Sequence, residues 1–281
     1  MIPFRFPPRT PRDVVAGLLV LGVAACHRGR SAPTPTPVRG PIIPPAQPTP
    51  APAPSTAVMS GPRLISAMHD RYADAWYRTL TFVQTTTLTR GGGPMVQTWY
   101  EAADLPGHLR IDTNLQTKSG AMYARDSVYQ FADGKLVRAD SGYNELLILG
   151  FDVYTQSPAR TEAVLRRLGF DLAKIHEGTW RGAPVYVVGA ARGDTLSKQF
   201  WVDRDKLLFL RLLEKTPRGY TDFRFNKYEK AGGGWIAAEV EQLVNGSRVL
   251  LEEYRDIRTG VQLPVAFFDP KEWANAPHWS K

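Results

Sequence analysis

The chain has 281 residues, 43% hydrophobic and 22% charged, enough for one or two domains with a sizeable core. Its single cysteine excludes an internal disulfide and any zinc site built from several cysteines. The net charge of +8 would point to nucleic acid in a cytoplasmic protein, but the N-terminus reads as an export signal, so anionic lipid headgroups are what such a surface would meet instead, and a solvated basic surface with no partner is the preferred reading.

Arg5, Arg9 and Arg12 precede an apolar run, Val14 to Ala25, which is shorter than the ~20 residues of a membrane-spanning helix. A basic start, a short apolar middle and a small-residue end are the marks of a secretory signal. The run closes on Val23-Ala24-Ala25-Cys26, which resembles the lipobox of bacterial lipoproteins, where the cysteine is acylated and becomes the first mature residue. Cys26 is therefore the expected lipid anchor. Acylation with several chains gives stable attachment where one chain binds only marginally. His27 stands where the enterobacterial sorting rule places Asp for inner-membrane retention. Its presence points to the outer membrane, with the domain facing the periplasm. Ten of the 24 residues from Ser31 to Pro54 are proline, a composition that favours polyproline II over a packed core. At ~3.1 Å per residue this is a semi-rigid spacer of ~70 Å. Three segments follow: a signal over 1–25, a lipidated cysteine and tether over 26–56, and a folded domain over 57–281.

The domain opens with an amphipathic helix from Pro62 to about Trp76. Leu64, Met68 and Tyr72 recur every four residues, with Ile65, Ala73 and Trp76 widening the stripe. Period two then takes over. Leu80 and Phe82 alternate with threonines in a strand that ends at Gly91-Gly92-Gly93-Pro94, and Met95–Ala102 reads as its hairpin partner. Leu109, Ile111, Thr113 and Leu115 alternate with His108, Arg110, Asp112 and Asn114. Asp133-Gly134 between Val128–Phe131 and Lys135–Val137 signals a type I′ hairpin. Asn144–Tyr154 is apolar and ambiguous, and Ser157-Pro158 introduces a helix over Ala159–Leu168. Strands then follow over Pro184–Ala190, Ser197–Val202, Leu207–Glu214 and Tyr220–Tyr228. The last pair, Trp235–Val244 and Arg248–Tyr254, is joined by Asn245-Gly246. About ten strands with short turns describe an α+β, mostly β domain, in which antiparallel meanders make barrels, half-barrels or sandwiches.

No enzyme signature stands out. The histidines of the domain, His69, His108, His176 and His278, lack metal-ligand spacing, and neither Ser60-Gly61 nor Ser141-Gly142 forms a nucleophile elbow. Gly91–Gly93 lacks the lysine of a phosphate loop, and Asp203-x-Asp205 lacks the glycine and glutamate of a calcium loop. The expectation is a protein that is not an enzyme and carries no cofactor or metal.

The order of elements, with the phrases Pro106-Gly107-His108-Leu109-Arg110-Ile111-Asp112, Gly182-Ala183-Pro184-Val185-Tyr186-Val187-Val188 and Phe200-Trp201-Val202-Asp203-Arg204-Asp205, is similar to that of the LolA/LolB superfamily of lipoprotein carriers over roughly 200 residues. The resemblance implies an antiparallel incomplete (half) β-barrel with helices covering an apolar concave face. It also implies that lipid or lipoprotein acyl chains are the partner. The family's membrane-inserting loop and lid-latching arginine have no assigned counterpart here. Alternation then nominates Leu80, Phe82, Leu109, Ile111, Phe223 and Phe225 as cavity residues, under a helical lid carrying Leu64, Met68 and Tyr72. Two functions follow: a membrane-anchored carrier or acceptor of acyl chains, or an envelope scaffold that binds a protein or cell-wall partner and no cargo. The oligomeric state has no sequence signal.

Overall fold

A computed structural model of the chain describes residues 60–90, 93–217 and 219–280; Cys26, the signal segment and the tether lie outside the described residues. Helix α1 (Gly61–Tyr72) is capped by Ser60, whose side chain accepts from the Arg63 amide, and it buries Leu64, Ile65, Met68 and Tyr72. It ends four residues before the expected Trp76. Gly61 has to be glycine, because a Cβ there would stand 2.6 Å from the Leu172 carbonyl oxygen.

The strands form one antiparallel sheet of thirteen rather than the expected ten or so. Strands β1 (Thr79–Arg90), β2 (Gly93–Asp104), β3 (His108–Asn114), β4 (Ser119–Ala124), β5 (Ser127–Ala132) and β6 (Lys135–Ser141) meander to one edge. The chain then crosses the concave side through α2 (Glu145–Gly150), a 3-10 turn (Asp152–Tyr154) and α3 (Pro158–Arg167). It returns from the other edge as β7 (Ile175–Trp180), β8 (Ala183–Val188), β9 (Gln199–Asp203), β10 (Phe209–Thr216), β11 (Gly219–Ala231), β12 (Gly234–Val244) and β13 (Ser247–Thr259). Strand β13 pairs with β1, so the first and last strands meet in the middle of the sheet. Strands β6 and β7 do not pair, and the sheet stays open as a half-barrel. Register shifts in the β1/β13, β3/β4, β5/β6, β9/β10 and β12/β13 pairs mark bulges; bulges bend strands and increase their twist, which curls the sheet. The free edge β6 is exposed along its whole length and carries Lys135, Arg138 and Asp140, charges that discourage edge-to-edge pairing.

Turn chemistry sets the hairpins. Asp133-Gly134 and Asn245-Gly246 all have positive φ, as a type I′ turn requires, and each joins adjacent paired strands.

Both faces of the sheet are covered. On the concave side, α1, α3 and the 3-10 turn pack with the inward strand residues in the main core. Trp76 stacks on Tyr154 with ring centroids 3.9 Å apart, and the Tyr154 hydroxyl accepts from the Phe209 amide at 2.9 Å. On the convex side, the C-terminal segment crosses the early strands: Phe267 and Phe268 pack on Ala102, and Trp273 lies flat on Phe131 with centroids 4.1 Å apart. Arg110 pins this segment. Its guanidinium pairs with Asp112 at 2.9 and 3.0 Å, and donates to the Phe267 and Trp273 carbonyls at 3.3 and 3.0 Å. Arg110 and Asp112, which alternate with Leu109 and Ile111, are thus buried as well.

Candidate functional site

The concave face carries one apolar row per strand. Register places Leu80, Phe82, Gln84, Thr86 and Leu88 of β1 opposite Ala103, Glu101, Trp99, Gln97 and Met95 of β2, and Leu109 and Ile111 of β3 continue the rows. On the other flank of β1, Gln84, Thr86 and Leu88 face Tyr254, Glu252 and Leu250 of β13, followed by Val240 of β12 and Phe225 of β11.

Helix α2 roofs this floor. A cavity of about 80 Å³ lies between them, walled by Leu80, Phe82, Ala103, Leu109, Ile111, Phe225, Val240 and Tyr254 below and by Asn144, Leu146, Leu147 and Phe151 above. Gly150 lets the helix lie on Phe225: a Cβ there would already stand 3.3 Å from the ring. Of the expected cavity residues, the structure brings Leu80, Phe82, Leu109, Ile111 and Phe225 to this space, while Phe223 is buried outside its wall. Leu64, Met68 and Tyr72 are buried in the adjoining core, and none borders the cavity, whose roof is α2.

Two carboxylates interrupt the apolar wall. Glu101 and Glu252 both border the cavity, one on each side of β1. Glu252 accepts from the Tyr254 hydroxyl at 2.9 Å. Glu101 is 7% exposed and makes no hydrogen bond or ion pair among the described residues. Burial, and then the charge of Glu252, hold the Glu101 carboxyl well above the usual carboxylate range. Burial also raises Glu252, against the opposing hydrogen bonds of Tyr254 and Gln84. Next to them the Gln84 side-chain oxygen is buried and unpartnered. The alternation argument missed both acids, although their neighbours at two residues' distance, Trp99 and Ala103, and Leu250 and Tyr254, mark the same inward face.

The roof is fastened at its N-terminal end. The Asn144 side-chain oxygen accepts from the Leu146 and Leu147 amides at 2.9 and 3.1 Å. Glu145 pairs with Lys198, which also reaches Glu214 at 3.2 Å. Burial raises the Glu145 carboxyl, with Lys198 opposing and Glu214 adding to the shift. At the other end, Asp152 accepts from the Gly107 amide at 2.9 Å, which ties the segment after α2 to the β2–β3 turn. Among the described residues, no group of three or more His, Cys, Asp and Glu is placed to hold a metal ion. No helix of the described residues is long and apolar enough to cross a membrane.

No protein-family model and no curated protein sequence matches the chain. Solved structures do. A domain of an outer membrane lipoprotein-sorting protein from Vibrio parahaemolyticus superposes with TM-score 0.53 at 10% identity, over 76% of this chain and 98% of its own. A DUF1329-family protein from Desulfovibrio piger superposes with TM-score 0.50 at 16% identity, over 74% of this chain and 95% of its own. A LolA-superfamily protein from Nitrosomonas europaea gives TM-score 0.46 at 10% identity, over 73% and 97%. The half-barrel with its helical cover is a fold this chain shares with the Vibrio parahaemolyticus domain and the Desulfovibrio piger protein.

Proposed function

We propose that this protein is a membrane-anchored acceptor or carrier of acyl chains, which it takes up between the concave face of its half-barrel and α2. The observation that carries this reading is the apolar cavity under a short, polar-fastened roof. Cys26 supplies the anchor, the proline-rich segment the reach, and the outer membrane the location. The protein acts as a binder, not an enzyme, and the partner is lipid or the acyl chains of a lipoprotein. Burying a methylene contributes ~0.8 kcal/mol, so shape and apolar area suffice for affinity. The shared fold with a lipoprotein-sorting domain supports the choice of cargo.

The cavity is small and partly open to the surface. At about 80 Å³ it is well below the roughly 300–1,000 Å³ of pockets that hold drug-sized ligands. Uptake therefore requires α2 to lift. The same small volume favours the second reading, a scaffold that works through its outer surface. There the Arg211 guanidinium lies 4.2 and 4.7 Å from the Trp180 and Trp201 rings and pairs with Asp222 at 2.7 and 2.8 Å.

The two readings separate in one experiment. The purified full chain and its Ala103→Leu variant, which fills the cavity floor, are incubated with vesicles of phosphatidylethanolamine and phosphatidylglycerol, re-isolated, and extracted for mass spectrometry. Near-stoichiometric lipid on the parent and a marked loss on the variant are expected. Lipid-free protein in both cases would remove the acyl-chain reading and leave the scaffold.

A further inference from the structure

The inference concerns the chemistry of the ligand's polar end, and it rests on the cavity reading above. An apolar chain alone gives no role to Glu101 and Glu252. Both border the same cavity, and they flank β1 opposite Phe82 and Thr86. Neither belongs to an ion pair among the described residues. A buried carboxylate is normally paired or hydrogen-bonded, because its desolvation is otherwise uncompensated. Here Glu252 has the hydrogen bonds of Tyr254 and Gln84, and Glu101 is left without any among the described residues while 7% exposed. Facing groups do not relieve it. Tyr123 and Tyr254 are the neighbouring titratable side chains, and both are neutral phenols. Gln84 adds an unpartnered acceptor oxygen to the same stretch of wall. The wall thus carries two carboxyls that hold their protons above the usual range while the cavity is empty, and no positive charge faces them.

We infer that the cavity recognises an amphiphile whose apolar chain lies under α2 and whose primary ammonium group is held by Glu101 and Glu252. A primary ammonium brings three donors and one positive charge. Bonded to Glu101 it displaces the carboxyl's proton to solvent and leaves an ion pair in the cavity that Glu252 also borders. A bare metal ion is a poorer match, since no third His, Cys, Asp or Glu joins the two carboxylates among the described residues. A fatty acid brings a third carboxyl and no positive charge, so it forms no ion pair with either glutamate. Aliphatic alcohols supply one donor and no charge, so they bind more weakly than the amine.

The test uses decylamine, decanol and decanoic acid, each titrated into the purified full chain by calorimetry below its micelle concentration. The expected order is amine, then alcohol, then acid. Glu101→Gln and Glu252→Gln are expected to lower amine affinity by about tenfold or more, the loss of a charge-assisted hydrogen bond, while alcohol binding is retained. Retained alcohol binding shows that the variant cavity is folded. If the three probes bind the parent equally, or the variants leave the amine unaffected, the ammonium inference falls and the acyl-chain reading stands. If none of the probes binds the parent, both fall.

Discussion

Replacing Asp152 with Asn changes how stability depends on pH, and the structure sets both sign and size. Asp152 is 1% exposed, one carboxyl oxygen accepts from the Gly107 amide at 2.9 Å, and the other is buried without a partner. Burial pushes its pKa from an ordinary 3.8 up to about 7, with the Gly107 hydrogen bond and the charge of Arg160 working against the rise. The folded protein therefore holds a proton between these values that the unfolded chain releases. Asp152 is harmless below about pH 4, its cost grows as pH rises towards 7, and it is complete above that. A carboxyl moved by three pH units costs on the order of 4 kcal/mol at alkaline pH. Asparagine keeps an oxygen for the Gly107 amide and never ionises, but its amide group takes the place of the unpartnered oxygen, at about 1–3 kcal/mol. The variant should be more stable than the parent by about 1–3 kcal/mol near pH 8, and equal or slightly weaker near pH 5. Urea unfolding followed by tryptophan fluorescence at both pH values measures the difference. If the difference between variant and parent is the same at both, Asp152 does not titrate in this window and the burial argument is wrong.

Two further perturbations address the packing of the sheet. Arg110→Met strands the buried Asp112 charge and releases the Phe267 and Trp273 carbonyls; chemical denaturation should show a loss of about 3–5 kcal/mol, most of it recovered in Arg110→Met with Asp112→Leu. Gly120→Ala would place a Cβ 2.0 Å from the Ile111 carbonyl oxygen and 3.0 Å from the Trp273 ring; the β3–β4 ladder must give way, and the variant should melt earlier in a thermal scan than a Gly142→Ala control, where nothing lies within 4 Å and the backbone is not left-handed.

The sheet was legible where turn chemistry and alternation agreed. Asn245-Gly246 and Asp133-Gly134 marked their hairpins because only such residues take two positive φ values in succession. Strand β4 escaped notice because Ser119-Gly120-Ala121 offers little apolar contrast, yet Gly120 is small for a reason: the Ile111 backbone leaves it no room. Strand β7 escaped for a similar reason, being an edge strand with Gly178 at its centre and few buried side chains. The segment Asn144–Tyr154 read as ambiguous because α2 is buried almost all round and has no polar stripe to give its period away. Arg110 and Asp112 alternate with Leu109 and Ile111, but alternation had no means of knowing that residues beyond 263, which have no period of their own, fold back over their face and bury them. Glu101 and Glu252 illustrate the converse failure. Their type says surface, their position says interior, and the site lies where the two disagree.

That disagreement bears on how the molecule can open. The sheet is held by continuous ladders, and α1 and α3 pack against the 3-10 turn at Asp152–Tyr154. Helix α2 differs from both. Six residues cannot form a stable helix alone, and α2 depends on the Asn144 cap, the Glu145–Lys198–Glu214 cluster and the burial of Leu147, Ile148 and Leu149. Its polar fastenings sit at the N-terminal end and at Asp152, which leaves its apolar underside over the cavity as the part a ligand can replace. An acyl chain that displaces Leu146, Leu147 and Phe151 exchanges one apolar contact for another, so lifting the roof need not expose the floor to water. The carboxyls beneath add a polar element to that neutral exchange: with the cavity empty, burial is met by keeping their protons, and a cationic ligand group can take the place of a proton. A site built this way is selective through the polar end of its ligand while its apolar walls remain tolerant of chain length and shape.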